Sequence, residues 1–190
     1  MVYVLLGCGG FVTGLALETG FVQRRPALKP VLWLVVGGLL AYSLAMASLR
    51  GERLPMPPWL STVGWTAMPA ASMLLLYSLF IELPLRQTYL RSAGSRLVTT
   101  GTYALVRHPT VLWYGLLLAS LLLASRSTLL LAALPFWLGL DILWALVQDR
   151  ASLPRTYAGY GRYRSATPML LPNYQSLKAC LATLKSANAA

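Results

Sequence analysis

The chain has 190 residues, 57% of them hydrophobic and 11% charged, with a formal net charge of +11 and a mean hydropathy of +0.61. A soluble domain carries about 25% charged residues, and here the apolar residues gather in long blocks instead of alternating, which excludes a water-soluble globular fold. The expectation is an all-α, polytopic helical membrane protein of about five transmembrane helices, forming one membrane domain over residues 1–190.

In chain order, Val2 to Val22 forms the first apolar segment, interrupted by Glu18 and closed by Gln23-Arg24-Arg25-Pro26. Val31 to Leu49 is the second, ended by Arg50, and Trp59 to Leu83 the third, with Pro69 inside it and Glu82 at its end. These three spans occupy residues 1–84. The fourth segment, Val111 to Ser125, falls short of the roughly 20 residues needed to cross a bilayer. The fifth runs from Thr128 to Val147. Arg126 and its neighbouring serines alone separate the last two, so they should form a tight antiparallel hairpin, with Arg126 snorkelling outward. Pro69 and Pro135 should kink their helices.

Charge fixes the expected orientation. Arg24, Arg25, Lys29, Arg86, Arg91, Arg96, Arg107, Arg150, Arg155, Arg162, Arg164, Lys178 and Lys185 fall on one side of five spans, thirteen of the sixteen basic residues. Arg50, Arg53 and Arg126 fall on the other. The positive-inside rule then puts the N-terminus outside and the tail in the cytoplasm, in a bacterial or archaeal cytoplasmic membrane. The first segment lacks the basic start of a cleavable signal peptide. The positive charge calls for anionic lipid headgroups, not nucleic acid. Cys8 and Cys180 match no metal or redox spacing and read as small packed side chains, so no metal site is expected.

The fourth segment begins unusually. His108, the single histidine, stands between Arg107 and Pro109. Pro109 suits the first turn of a helix, and the residue before a proline is pushed out of helical geometry. On the plain reading, Arg107 anchors headgroups and His108 marks the helix start.

More than the tripeptide is present. Leu97-Val98-Thr99-Thr100 leads into Gly101-Thr102-Tyr103-Ala104-Leu105-Val106-Arg107-His108-Pro109, and the hairpin is followed by Gln148-Asp149-Arg150-Ala151-Ser152-Leu153, then Tyr160, Tyr163, Pro168 and Pro172. This order resembles the isoprenylcysteine carboxyl methyltransferase and phospholipid methyltransferase superfamily, in which such a segment precedes a helical hairpin, a glutamate pair, a leucine, two tyrosines and two prolines. The resemblance covers residues 85 to 172, leaving 173–190 as a possible surface helix. Two departures stand out: Val111 replaces an aromatic residue, and the glutamate pair becomes Asp149 and Arg150.

The resemblance implies transfer of a methyl group from S-adenosylmethionine to a lipid-like or small nucleophile: a prenylcysteine carboxylate, an aminolipid or a thiol. It implies a cytoplasmic C-terminal cofactor-binding segment built from Tyr103, Arg107, His108, Pro109, Asp149, Tyr160 and Tyr163, with Arg107 and Asp149 carrying the catalytic roles. The chemistry suits these residue types. Arg107 can fork onto a carboxylate, Asp149 can accept from ribose hydroxyls or an ammonium, and tyrosine faces can meet adenine or a sulfonium. In this expectation Arg107 faces Asp149 across the cofactor, and Arg150 points away. The alternatives are a non-catalytic membrane protein retaining the fold, and a membrane oxidoreductase of the sterol-reductase kind, which has a similar Arg-His-Pro element.

Other residues carry two readings. Asp141, inside the fifth span, extends a polar track from Asp149 or pairs with a neighbouring helix. Glu18 and Glu82 read as interfacial acids paired with Arg24, Arg25 or Arg86. Trp33, Trp59, Trp65 and Tyr42 read as interfacial belt and packing. Leu177, Cys180, Leu181 and Leu184 should share one side of a C-terminal amphipathic helix.

Overall fold

The computed structural model describes residues 1–19, 25, 27–83 and 97–187, and its regular elements are helices. Helix α1 spans Val2–Ala16. It closes early, because the N–H groups of Leu17, Glu18 and Thr19 each bond three residues back and the Thr19 hydroxyl donates to the Ala16 carbonyl at 2.7 Å. Such a turn satisfies the last carbonyls of a helix without extending it. The expected continuation to Val22 runs into residues 20–24, outside the described residues.

Helix α2 spans Leu28–Arg50, and α3 spans Pro58–Leu76 before running on as a π-helical turn, Tyr77–Glu82. A short helix α4, Thr102–Leu105, precedes α5, Pro109–Ser125. Helix α6, Thr128–Val147, passes through a second π turn, Gln148–Ser152, into α7, Leu153–Thr156. Helices α8, Tyr160–Ala166, and α9, Tyr174–Ala187, complete the chain. Three helical stretches, Leu28–Arg50, Pro58–Glu82 and Thr128–Thr156, are long and apolar enough to cross a membrane; Val2–Ala16 and Pro109–Ser125 are apolar but shorter. At 1.5 Å per residue, α5 reaches about 25 Å, against a hydrocarbon thickness of about 30 Å.

Small residues let the helices approach. A methyl group on Gly64 of α3 would strike the Ala124 backbone and stand 2.6 Å from the Ser120 carbonyl of α5. The Ser61 hydroxyl donates across the same contact to the Ala124 carbonyl at 2.9 Å. On α1, Gly7 faces the ring of Trp137 and Gly14 faces the ring of Trp144. The glycines and the tryptophans share a seven-residue spacing in the same order, so α1 and α6 run parallel. Trp137 donates its indole N–H to the Val4 carbonyl at 3.0 Å, which fixes the register. Val4, Phe11, Val36, Leu118, Leu130 and Trp137 form the centre of the core.

The α5–α6 hairpin turns on Arg126, which adopts the left-handed conformation at φ 55°. The Leu54 N–H donates to the Arg126 carbonyl at 2.7 Å, and the Thr128 N–H to the Glu52 carbonyl at 2.9 Å, so the α2–α3 loop crosses the turn. The Arg126 guanidinium does not project freely outward. It donates to the Met56 carbonyl at 3.3 Å, because the crossing loop offers acceptors within reach.

These contacts sort the helix ends. The α2–α3 loop and the hairpin turn meet at one end. Glu18, Glu82, the Gly101–Pro109 segment and the chain after Val147 gather at the other. Trp59, Trp65 and Tyr42 are exposed. Trp33 instead stacks on Trp144, with ring centroids 5.7 Å apart. On α9 the expected side is divided: Cys180 is buried while Leu177 and Leu181 are exposed. The helix packs on α4 through its small side chains, which admit close contact.

Candidate functional site

The site assembles where α5 begins. His108 is non-helical, at φ −125° and ψ 68°, short of the fully extended backbone expected before a proline, and Pro109 opens the helix. The preceding residues lie beside the stretch after α8: the Arg107 N–H donates to the Pro168 carbonyl at 2.9 Å and the His108 N–H to the Met169 carbonyl at 3.2 Å. Pairing with 168–169 thus fixes the backbone of the Arg-His-Pro element.

Asp149 enters from α6. The π turn Gln148–Ser152 carries one extra residue per turn, which turns Asp149 inward, 2% exposed, and leaves Arg150 exposed. Such turns often mark functional positions in helices. Arg107 forks onto the carboxylate, with Nε 2.7 Å from Oδ1 and Nη2 3.1 Å from Oδ2. Its Nη1 donates to the carbonyls of Arg164 and Thr167. Tyr160 donates its hydroxyl to Asp149 Oδ1 at 2.6 Å, and Arg164 Nε stands 3.4 Å from Oδ2. Asp149 therefore meets Arg107 directly, not across a cofactor-sized gap. A buried carboxylate requires paired charge and hydrogen bonds, and the nearest fork supplies both.

His108 is the exception in this satisfied cluster. Its Nε2 is buried without a hydrogen-bond partner among the described residues, 3.6 Å from Asp149 Oδ1. Burial lowers the imidazole to about 4, with the Arg107 charge adding to the shift and the Asp149 carboxylate opposing it. His108 is therefore neutral near pH 7. Two cations, one carboxylate and a neutral imidazole leave the cluster net positive, an electrostatic preference for an anionic ligand.

The tyrosines form a second layer. Tyr163 donates its hydroxyl to the Tyr103 carbonyl at 2.6 Å and meets Tyr160 edge-on, with centroids 5.9 Å apart. Burial raises both phenols above their ordinary range, aided at Tyr160 by its bond to the Asp149 carboxylate. Tyr103 turns toward α3, its hydroxyl donating to the Ser78 carbonyl at 3.3 Å. An open cavity of about 390 Å³ is lined by Tyr163 together with Thr99, Arg162, Thr167 and Gln175.

All seven residues singled out in the sequence lie in or against this assembly. Sequence reasoning missed three partners. Arg164 joins the carboxylate, and only its place beside Tyr163 would have pointed to it. The carbonyls of Thr167 to Met169 carry no side-chain signal. Glu82, expected to pair with Arg86 outside the described residues, accepts from the Thr102 N–H at 2.7 Å and from its hydroxyl. It caps α4 because Gly101, at φ +61°, brings the chain so close that a Cβ there would strike the Glu82 carboxylate. Glu18 accepts from Gln148 at 2.8 Å and from the Trp144 indole at 3.2 Å. Asp141 is half-buried in α6 and lies within electrostatic reach of Tyr114. Among the described residues no group of histidine, cysteine or acidic side chains could hold a metal ion. Compared with protein-family models, curated proteins and solved structures, the chain matches none.

Proposed function

We propose that the chain is an integral membrane methyltransferase that moves a methyl group from S-adenosylmethionine to a lipid-like or small nucleophile: a prenylcysteine carboxylate, an aminolipid or a thiol. One observation supports this reading most. Tyr103, Arg107, His108, Pro109, Asp149, Tyr160 and Tyr163 come from stretches up to 60 residues apart, yet they form one connected cluster about Asp149, whose Oδ1 stands 3.6 Å from the His108 Nε2 that has no hydrogen-bond partner among the described residues. Buried polar atoms without partners are rare in folded proteins, and a ligand hydroxyl or carboxylate would satisfy this one.

When bound, the cofactor would supply an electrophilic methyl group on a sulfonium. The protein's part is placement. Arg107 and Arg164 favour an anionic group at the cluster, and His108 offers a neutral ring nitrogen. Tyr160 and Tyr163 offer aromatic faces at its margin. Asp149 holds the Arg107 guanidinium in orientation. An acyl or prenyl chain would approach along the apolar surface of α5 while polar groups enter from water. Five crossings with a cytoplasmic tail belong to the same proposal, supported by the alternation of helix ends and by the basic residues collected at the site's end.

A second reading, a non-catalytic membrane protein, draws on one observation. The Asp149 carboxylate is already taken by Arg107, Tyr160 and Arg164, and Arg150 stands exposed where a second glutamate is expected. A methyl-transfer assay in liposomes, run against amine, carboxylate and thiol acceptors, separates the two. Turnover is expected, falling roughly tenfold or more in Asp149→Asn and little changed in Arg150→Ala. Cofactor binding without turnover on any acceptor supports the non-catalytic reading. Absence of binding by calorimetry overturns the proposal.

A further inference from the structure

Helix α9 has two unlike sides. Ser176 and Cys180 are buried, and the Thr183 hydroxyl accepts the Gly101 N–H at 3.0 Å, so this side rests on α4 and the start of the Arg-His-Pro segment. On the other side Tyr174, Leu177 and Leu181 are 81%, 47% and 52% exposed, with Leu171 at 79% just before the helix. Lys178 lies in the same strip. Exposed apolar side chains grouped in this way mark interaction surfaces.

The position of α9 identifies what covers the strip. Its inner side touches Gly101, and Cys180 lies within electrostatic reach of Glu82. The helix is therefore level with the end of the apolar stretch Pro58–Glu82 and the start of Pro109–Ser125, where apolar chain gives way to polar loops. Charge at this end is one-sided. Lys178, Arg155 and Arg162 are exposed, whereas Glu18, Glu82 and Asp149 are each engaged by donors.

We propose that α9 lies flat on an anionic phospholipid surface, with Tyr174, Leu177 and Leu181 at the acyl boundary and Lys178 among the phosphates, and that this docking steadies the Gly101–Leu105 turn through Thr183. The geometry is that of an in-plane amphipathic anchor, held by apolar area together with attraction to anionic lipid. The proposal rests on the membrane reading of the long helices and not on methyl transfer, so each can fail alone.

The test uses the full chain with Cys8→Ala and Cys180→Ala, spin-labelled at Leu181→Cys and reconstituted in phosphatidylcholine vesicles with or without phosphatidylglycerol. In anionic vesicles the label should be accessible to oxygen and shielded from a water-soluble nickel chelate, whereas a label at Ser165→Cys should meet the chelate. A label at Tyr174→Cys repeats the measurement. Lys178→Gln should weaken docking about fivefold, the worth of one basic residue near an anionic surface. Amide exchange of Gly101–Leu105 should rise when the anionic lipid is left out. Equal chelate access at 181 and 165 in anionic vesicles overturns the docking, and equal depth in neutral vesicles overturns its anionic preference. Dipolar broadening between labels assigns the strip to a second copy of the chain and overturns the proposal, and unchanged exchange at Gly101–Leu105 overturns the coupling.

Discussion

His108 is where the cost of burial is concentrated. Its ring is 6% exposed, its Nε2 has no hydrogen-bond partner among the described residues, and its folded pKa of about 4 lies below the ordinary 6.5, chiefly because burial disfavours the charged ring. A group whose pKa is depressed in the folded state binds fewer protons than the unfolded chain between the two values. The neutral ring's contribution to stability is therefore complete above pH 6.5 and is lost as the pH falls toward 4. Thermal unfolding in detergent should show the midpoint falling across this window, and His108→Gln should flatten the fall. An equally steep fall in the variant would show that another group carries the pH dependence. Arg107 illustrates what sequence could and could not supply at this scale. Its place beside His108 at the start of α5 was legible from the Arg-His-Pro element. Its acceptors were not, because two of them are backbone carbonyls, of Arg164 and Thr167, which any sequence would offer.

At the scale of the elements, the contact between α3 and α5 is set by Gly64. Apolar side chains gain little from facing one another instead of lipid, so helices in a bilayer associate where their backbones come close. Adding one methyl to Gly64 forces it against the Ala124 backbone, which cannot yield as a flexible side chain can, while Gly37 and Gly38 of α2 have open space in the same position. Gly64→Ala should therefore destabilise by about 1–3 kcal/mol, the usual range for overpacking. Gly37→Ala should be neutral or gain up to about 1 kcal/mol from helix propensity. Opposite signs in thermal midpoints check the pair, and stabilisation by both would place α5 elsewhere. The helices α2, α3, α5 and α6 were legible within a few residues because their apolar runs end at Arg50, Glu82, Arg126 and Asp149, and because α3 and α5 begin at prolines while α6 begins just after Arg126. Their partners were not. The match of Gly7 and Gly14 to Trp137 and Trp144 spans more than a hundred residues of chain, and no local pattern announces it. The π turn at Gln148–Ser152 was equally silent, although it decides that Asp149 turns inward and Arg150 outward.

For the whole molecule, parallel packing of α1 and α6, together with the alternation of helix ends between them, gives a bundle whose polar features gather at one end. Arg107, His108, Asp149, Arg164 and α9 share that end, while Glu52, Arg53 and the Arg126 turn lie at the other. The short helices α1 and α5 fit this arrangement if they are flanked by tilted longer neighbours and by a locally thinned bilayer, accommodations that cost fractions of a kcal/mol per Å. Under the proposed five crossings, the positive-inside rule applied to the arginines and lysines would put the site in the cytoplasm. Accessibility labelling tests this, but the positions must be chosen from the structure. Ser127 is fully buried, its hydroxyl bonded to the Ala47 carbonyl, and cannot report on its side of the membrane. Glu52 and Ser165 are exposed at opposite ends. In a Cys8→Ala, Cys180→Ala background, a membrane-impermeant maleimide added outside intact cells should label Glu52→Cys and spare Ser165→Cys until the membrane is opened. Labelling of Ser165→Cys alone would invert the bundle and put the site on the outer face, away from cytoplasmic cofactors. Labelling of both in intact cells would mean that the two ends are not separated by a bilayer at all.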